Sequence, residues 1–488
     1  MSMSLRDPSL LRTQCFVNGQ WVDGPSGKRF AVLNPANGET LAEVADVGAE
    51  ETRVAIEAAD RAMQSWQARP AKERADLLRK WYELITANQE DLALIMTLEQ
   101  GKVLAESRGE IAYAASFIEW FAEEARRVYG DIVPLPQTDR RGVVIKQPVG
   151  VVAAITPWNF PAAMITRKAG PALAVGCGIV IKPAKETPLS ALALARLAEQ
   201  AGIPAGLINV VCGTSSRAIG GEMTANPIVR KLTFTGSTPV GKELVKQCAD
   251  TVKKVSMELG GNAPVIVFDD ADLDAAAVGA AASKYRNSGQ TCICANRILV
   301  QDSVYDAFVE KFTGVVTGFR IGSGVEAGVT HGPLVNAGAA RDVDAMVRQA
   351  LENGARAVVG GEIDALGECF YQPTILTDVN DGMRVFREEI FGPVAPIFKF
   401  STEEEAIAMA NDTEFGLASY IYTRDIGRVW RVAEGIEYGM VGVNEVAITS
   451  DIIPFGGVKE SGMGREGSKY GVDDYLETKY ICMGGLDS

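Results

Sequence analysis

The sequence predicts an α/β protein made of two doubly wound α/β units with a pair of extended arms, and three observations carry that reading. The chain has 488 residues, of which 47% are hydrophobic and 23% charged. At roughly 100 to 200 residues per domain, that is enough for two or three domains with buried cores. From about residue 150 onward, short apolar runs alternate with stretches of helical period, the pattern of parallel strands joined by crossover helices. Two further segments fit neither layer and read as extended.

Taken along the chain, residues 49 to 128 read as a helical layer, because apolar positions recur every three or four residues in Asp76 to Ile85 and again in Ile111 to Phe121. Strands then fall at Val151 to Ile155, Ile179 to Ile181, Ile208 to Val211 and Lys231 to Thr235. Helical stretches at 161–175, 188–201, 215–224 and 238–249 alternate with them. A second series follows: a strand at Pro264 to Phe268, a helix from Asp272 to Tyr285, a strand at Ile298 to Val300, a helix from Val304 to Phe312, and a last strand at Met440 to Asn444. The arms are 131 to 148 and the tail from Leu476 to Met483, whose open edges call for a partner and so point to a subunit interface.

Composition narrows the function. A net charge of −14 repels nucleic acid and anionic membranes. There is no apolar run long enough to span a bilayer or to form a signal peptide, and the chain reads as cytoplasmic. Eight scattered Cys lack the spacing of a disulfide framework and read as reduced thiols. With a single His, His331, in a loop-like Val-Thr-His-Gly-Pro setting that suggests a surface or packing role, mechanisms built on several His are excluded and no metal site is expected. A base would have to be a carboxylate or a Lys.

Four sites could hold chemistry, and a fifth match is a decoy. Cys292 lies in Ser288-Gly-Gln-Thr-Cys292-Ile-Cys294, a turn leading into an apolar strand, where a thiol would face a cleft; the alternative is two buried small hydrophobes. Glu258, between apolar residues and a Gly-Gly turn, would have the raised pKa of a general base, or would be a solvated acid at a strand end. Gly236 and Ser237 follow a strand and open a helix, a place where free N–H groups suit a pyrophosphate. Asn159, at the end of another strand, is a candidate oxyanion donor or an ordinary turn residue. Gly462-Met-Gly464-Arg-Glu-Gly467 matches the dinucleotide fingerprint, but no strand precedes it and the chain ends before a βαβ unit could be completed.

In this order, Pro157-Trp-Asn159-Phe-Pro, Lys182-Pro-Ala, Phe234-Thr-Gly-Ser-Thr, Glu258-Leu-Gly-Gly-Asn, Gly289-Gln-Thr-Cys292, Glu389-Ile-Phe391-Gly-Pro and Pro454-Phe-Gly-Gly resemble the aldehyde dehydrogenase superfamily over nearly the whole chain. The resemblance implies an NAD(P)-binding domain from 1–129 and 149–258, a catalytic domain from 259–460, and an oligomerisation arm and tail from 130–148 and 461–488. It implies Cys292 as nucleophile, Glu258 as the base that activates water, Asn159 in the oxyanion hole and Lys168 in support. Thr156, Trp158, Lys182, Gly236, Ser237, Glu389 and Phe391 would contact the nucleotide, and the product would be a free acid. Homodimers or homotetramers are expected.

The runs Ala163-Met-Ile-Thr-Arg167-Lys, Lys284-Tyr-Arg286-Asn and Gly464-Arg-Glu-Gly-Ser-Lys-Tyr-Gly are similar to the succinate semialdehyde dehydrogenase subfamily. That similarity implies that Arg167, Arg286 and Ser450 grip the distal carboxylate of a small semialdehyde, glutarate semialdehyde being the nearest competitor. Many NAD-using relatives have Glu where this chain has Lys185, and a second cation beside Lys182 favours NADP over NAD. A catalytically silent structural protein and a cysteine hydrolase are the rival readings. Cys294, two residues from Cys292, is a candidate redox partner if the loop bends sharply, and otherwise packs.

Overall fold

A computed structural model of the chain describes residues 4–486. The four helices of the predicted layer are Ala49–Gln67, Ala71–Ala87, Gln89–Gln100 and Leu104–Glu124. They cover one eight-stranded sheet. From edge to edge its strands are Gly462–Met463, Lys254–Glu258, Val229–Thr235, Val151–Ile155, Ile179–Lys182, Ile208–Val210, Cys15–Val17 and Gln20–Val22. The five from Lys254–Glu258 to Ile208–Val210 run parallel, and the outer pairs are antiparallel. Strands such as Ile179–Lys182 are buried along their whole length, as expected of a parallel sheet with helices on both faces.

The crossover helices begin and end where the sequence dictates. Ala163–Val175 stops at Gly176, whose φ of 108° is a left-handed cap that a side chain would strain. Pro188–Gln200 starts on a proline, and the buried Glu99 carboxylate of the helical layer accepts from the free N–H groups of Leu189 and Ser190 at 2.8 and 2.7 Å. Burial pushes Glu99 up to about 8 despite these bonds.

The second unit is a seven-stranded sheet in the order Arg356–Val359, Thr374–Thr377, Val394–Phe400, Ala295–Gln301, Ala263–Val267, Ala418–Tyr422, Met440–Val443. All neighbours are parallel except the first pair. Together the two sheets and their helices give the α/β class read from the alternation. The arms pair with each other: Leu476–Met483 runs antiparallel to Arg141–Pro148, which in turn pairs with Asp131–Val133.

Two features were not visible in the sequence. The first forty-five residues supply two edge strands of the first sheet and a separate hairpin, Arg29–Leu33 with Thr40–Ala45, elements too short to show a period. Residues 461–475, grouped above with the tail, return to the first unit instead: Gly462–Met463 pairs with Lys254–Glu258, and Val472 and Tyr475 enter that unit's core. His331 does pack, against Phe319 at 4.2 Å and edge-on to Tyr285 at 5.9 Å, and burial pushes its pKa down to about 4. No helix among the described residues is long and apolar enough to cross a membrane.

Trp81 anchors the helical layer: it is 1% exposed and its indole donates to Leu194 O at 3.1 Å. Trp81→Ala should cost about 3 to 5 kcal/mol, seen as a lower urea midpoint for loss of the helical signal.

Candidate active site

The carboxyl ends of the first sheet's parallel strands open toward the second unit, the usual place for a ligand in such a sheet. Thr156 to Asn159 follow Val151–Ile155, Gly236 and Ser237 follow Val229–Thr235, and Glu258 closes Lys254–Glu258. Cys292 comes from the other unit, on the link between helix Leu273–Tyr285 and strand Ala295–Gln301; Glu389 and Phe391 precede strand Val394–Phe400. All of these except Thr156 meet around one cavity of about 310 Å³, with Trp158 and Asn159 on its wall.

The turn that delivers Cys292 is strained. Asn287, Ser288 and Gly289 have φ of 50°, 53° and 78°, and two of them are not glycine. Non-glycine residues held there cost of order 1 to 3 kcal/mol each and need surroundings that over-determine them. Here Glu106 Oε1 accepts from Asn287 N at 2.8 Å, Ser288 Oγ donates to Gly332 O at 2.8 Å, and a Cβ on Gly289 would meet Gly392 O at 2.1 Å. The turn therefore exists only against its neighbours.

Asn159 is buried with its amide fixed. Oδ1 accepts from Phe160 N at 3.1 Å and Nδ2 donates to Gln290 O at 3.1 Å, a bond that uses one of its two protons. The second is left for a group in the cavity. Cys292 is a free thiol whose pKa is pushed up to about 12 by burial, with the Glu389 and Glu258 carboxyls adding to the rise and Arg167 opposing it. Burial also raises Glu258 well above the ordinary carboxyl range, and the Glu466 charge adds to it, against Arg167 and Lys168. Neither carboxyl oxygen of Glu258 has a partner among the described residues. Glu389 Oε1 accepts from Gly261 N at 3.0 Å, and burial moves it up to about 7.

Behind Glu258 lies a buried triad. Lys168 Nζ donates to Glu466 Oε1, and Arg167 Nε faces Glu466 Oε2 as an ion pair at 2.8 Å. The Arg167 guanidinium also lies 4.2 Å from the Phe455 ring and 5.0 Å from Phe117. Glu466 was missed because it sits inside the fingerprint-like Gly462–Gly467 run. That run is a tight return whose Gly464 and Gly467 have φ of 90° and 69°, held by the Phe455–Glu466 bridge. Lys102, Glu106 and Glu110 were missed too, since as charges on a helical layer they look like a solvated face.

The remaining candidates divide. Lys182 is buried, with Nζ donating to Pro183 O at 3.3 Å, and Thr156 Oγ1 is buried without a partner among the described residues. The Lys185 side chain is 59% exposed and 4.0 Å from Glu186. Arg286 lies 5.0 Å from the Phe160 ring and lines a smaller cavity of about 210 Å³ with Ser283 and Thr291. Ser450 donates to Asp451 Oδ1 at 3.0 Å and lines neither cavity. Cys294 is buried, donating to Gly289 O at 3.4 Å and accepting from Lys284 Nζ at 3.8 Å.

A cleft with a lone thiol, an unpartnered carboxyl and a fixed amide, set where two α/β units meet, defines a class. Residues 21–481 match the Aldehyde dehydrogenase family, and the chain belongs to it. It is 61% identical to the glutarate-semialdehyde dehydrogenase of Pseudomonas aeruginosa, over 99% of this chain and 100% of that one. To the 3-sulfolactaldehyde dehydrogenase of Pseudomonas putida it is 60% identical, with the same coverage of each chain. The solved succinate-semialdehyde dehydrogenase of Burkholderia pseudomallei superposes with a TM-score of 0.98 at 59% identity, covering 99% of this chain and 100% of that one.

With its pKa far above neutrality, the Cys292 thiol should be alkylated slowly by iodoacetamide at pH 7, about tenfold faster for each pH unit up to pH 9. Mass spectrometry of the labelled peptide should show Cys292 modified and Cys294 spared.

Proposed function

We propose that the enzyme oxidises succinate semialdehyde to succinate with NADP, through a thioester on Cys292. The observation that carries this reading is the meeting of Cys292, Glu258 and Asn159 around one cavity, with Arg286 nearby. The Cys292 sulfur, once its proton has passed to bulk water, attacks the aldehyde carbon, and the carbonyl π pair moves onto oxygen; when that pair returns, the carbon gives up its hydrogen as hydride and the thioester remains. The free Asn159 N–H meets that charge, a contribution worth about 2.7 to 4 kcal/mol in comparable sites. Glu258 then takes a proton from water, whose oxygen attacks the thioester carbon and releases the acid and the thiol.

The first-unit side of the cavity fits a nicotinamide dinucleotide, which when bound supplies the hydride acceptor for the oxidation step. Ser237 makes no side-chain cap bond at the start of helix Thr238–Ala249, whose Pro239 and Val240 line a larger cleft of about 830 Å³. The pyrophosphate would lie at that helix start, with Trp158 and Phe391, edge-to-face at 5.5 Å, on the wall beside it. Lys182 and Glu389 would hold the ribose hydroxyls. The exposed Lys185 would meet a 2′-phosphate, which favours NADP.

Arg167 and Arg286 would recognise the far carboxylate, and Ser450 would join them once its hydroxyl leaves Asp451. Arg167 is ion-paired with Glu466, but its Nη2 has no hydrogen bond among the described residues and could take one more acceptor. Glutarate semialdehyde is the second reading, because a relative named for it is 61% identical, and one methylene is worth only about 1 to 3 kcal/mol in a pocket. Exposed Ile132, Tyr480 and Met483 on the three-stranded arm sheet support a homodimer or homotetramer.

A panel of succinate semialdehyde, glutarate semialdehyde, 3-sulfolactaldehyde and butanal, assayed with NADP and NAD, tests this reading. Succinate semialdehyde with NADP should give the highest kcat/KM, and Cys292→Ala should abolish turnover. Arg286→Ala should weaken succinate semialdehyde by about 1.5 to 3 kcal/mol and leave butanal little changed. Equal losses for both substrates would assign Arg286 a structural role. Lys185→Glu should raise KM for NADP and spare NAD.

A further inference from the structure

The helical layer lines no part of the cavity, yet besides the Glu106 bond to Asn287 N it reaches the site through the buried cation of Lys102. Lys102 Nζ donates to Glu110 Oε2 at 2.6 Å and to the main-chain oxygen of Asn159 at 2.7 Å. Asn287 Nδ2 donates to the same Asn159 oxygen at 3.0 Å and to Gln290 O at 3.2 Å, and Gln290 O is also where Asn159 Nδ2 is fixed. The other oxygen of Glu110 accepts from Ala162 N and Ala163 N at 2.9 and 3.2 Å, at the start of the helix that follows Asn159. The Lys102 ammonium lies 4.0 Å from the Phe160 ring as well.

An ion pair alone would explain Lys102 opposite Glu110. It does not explain why the same ammonium is spent on the peptide oxygen of Asn159, which lines one cavity with Cys292. A charge-assisted bond is about twice as strong as a neutral one, and here it holds the Asn159–Phe160 peptide through a side chain that does not line the cavity. An oxyanion donor works only when held within about 0.5 Å of its productive place. Asn287, at the strained turn before Cys292, grips the same oxygen, so one acceptor ties the amide loop to the nucleophile loop.

We infer that Lys102 is a positioning residue of the oxyanion site: its bond to Asn159 O sets where the Asn159 amide stands relative to Cys292. The inference rests on the reading of Asn159 as the oxyanion donor. Lys102→Met by itself would leave Glu110 as a lone buried charge, and such variants often fail to fold, so the test is made in a neutral pair. Lys102→Met with Glu110→Gln should fold, with a thermal midpoint near that of the parent. Its kcat should be about 10- to 100-fold lower, since an ångström of misplacement costs up to about that much, while KM for NADP is unchanged. Lys102→Gln with Glu110→Gln, which restores a neutral donor to the oxygen, should recover part of the kcat. In an Asn159→Ala background the neutral pair should cost almost nothing further. Full kcat in the Lys102→Met pair, no recovery with Gln, or an undiminished loss in the Asn159→Ala background would each overturn the role of Lys102. If Asn159→Ala alone keeps its kcat, it is the reading of Asn159 that fails.

Discussion

A carboxyl group buried without a hydrogen-bond partner holds its proton unless positive charge lies close by, and this molecule is arranged around that constraint. Glu258 has no partner for either oxygen among the described residues, and both burial and Glu466 work against its ionisation. The countervailing charges are Arg167 and Lys168, consecutive residues of helix Ala163–Val175, and both are shared with Glu466. The balance leaves Glu258 raised but within the influence of two cations. The helix that follows Asn159 and the return loop that carries Glu466 must therefore stay packed behind strand Lys254–Glu258. That need explains why residues 461–475 join the first unit, with Tyr475 at their end buried in its core.

The site is shared among parts that are far apart in sequence. The first sheet supplies the carboxyl, the amide and the helix start; the second unit supplies the thiol and Glu389; the helical layer fixes the loops from behind. Charge placement follows the same division. Burial raises the acids that face the cavity, Cys292 to about 12 and Glu389 to about 7, while fully buried ion pairs lie one layer back. In a water-poor cleft, fixed donors act strongly because nothing has to reorganise around them.

The fold and much of the cavity were legible in the sequence for a local reason. Parallel strands buried on both faces must be apolar runs, and crossover helices must have helical period, so both patterns appear in any window that covers them; the helices at 163–175, 188–200 and 238–249 fall where that pattern puts them. The ends of those strands are the places where Asn159, Glu258 and Gly236 stood out, because a polar or glycine residue interrupts an apolar run there. Cys292 stood out for its glycine-containing turn.

What the sequence determined by itself is thus the α/β class, the helical layer, the arms and the residues at the strand ends, since each depends on neighbours within a few positions. Only the tertiary structure decided which charges are buried and with whom. Lys102, Glu110 and Glu466 carry no local mark, because a Lys or Glu on a helix or in a glycine-rich loop reads as solvated. Their roles arise from contacts across 57 residues to Asn159, 52 to Ala162 and 298 to Lys168. The same holds for the edge strands of the first forty-five residues and for Ser450, whose hydroxyl turns to Asp451. A buried charge is stable only where distant segments converge to pair it, and that convergence is a property of the folded chain.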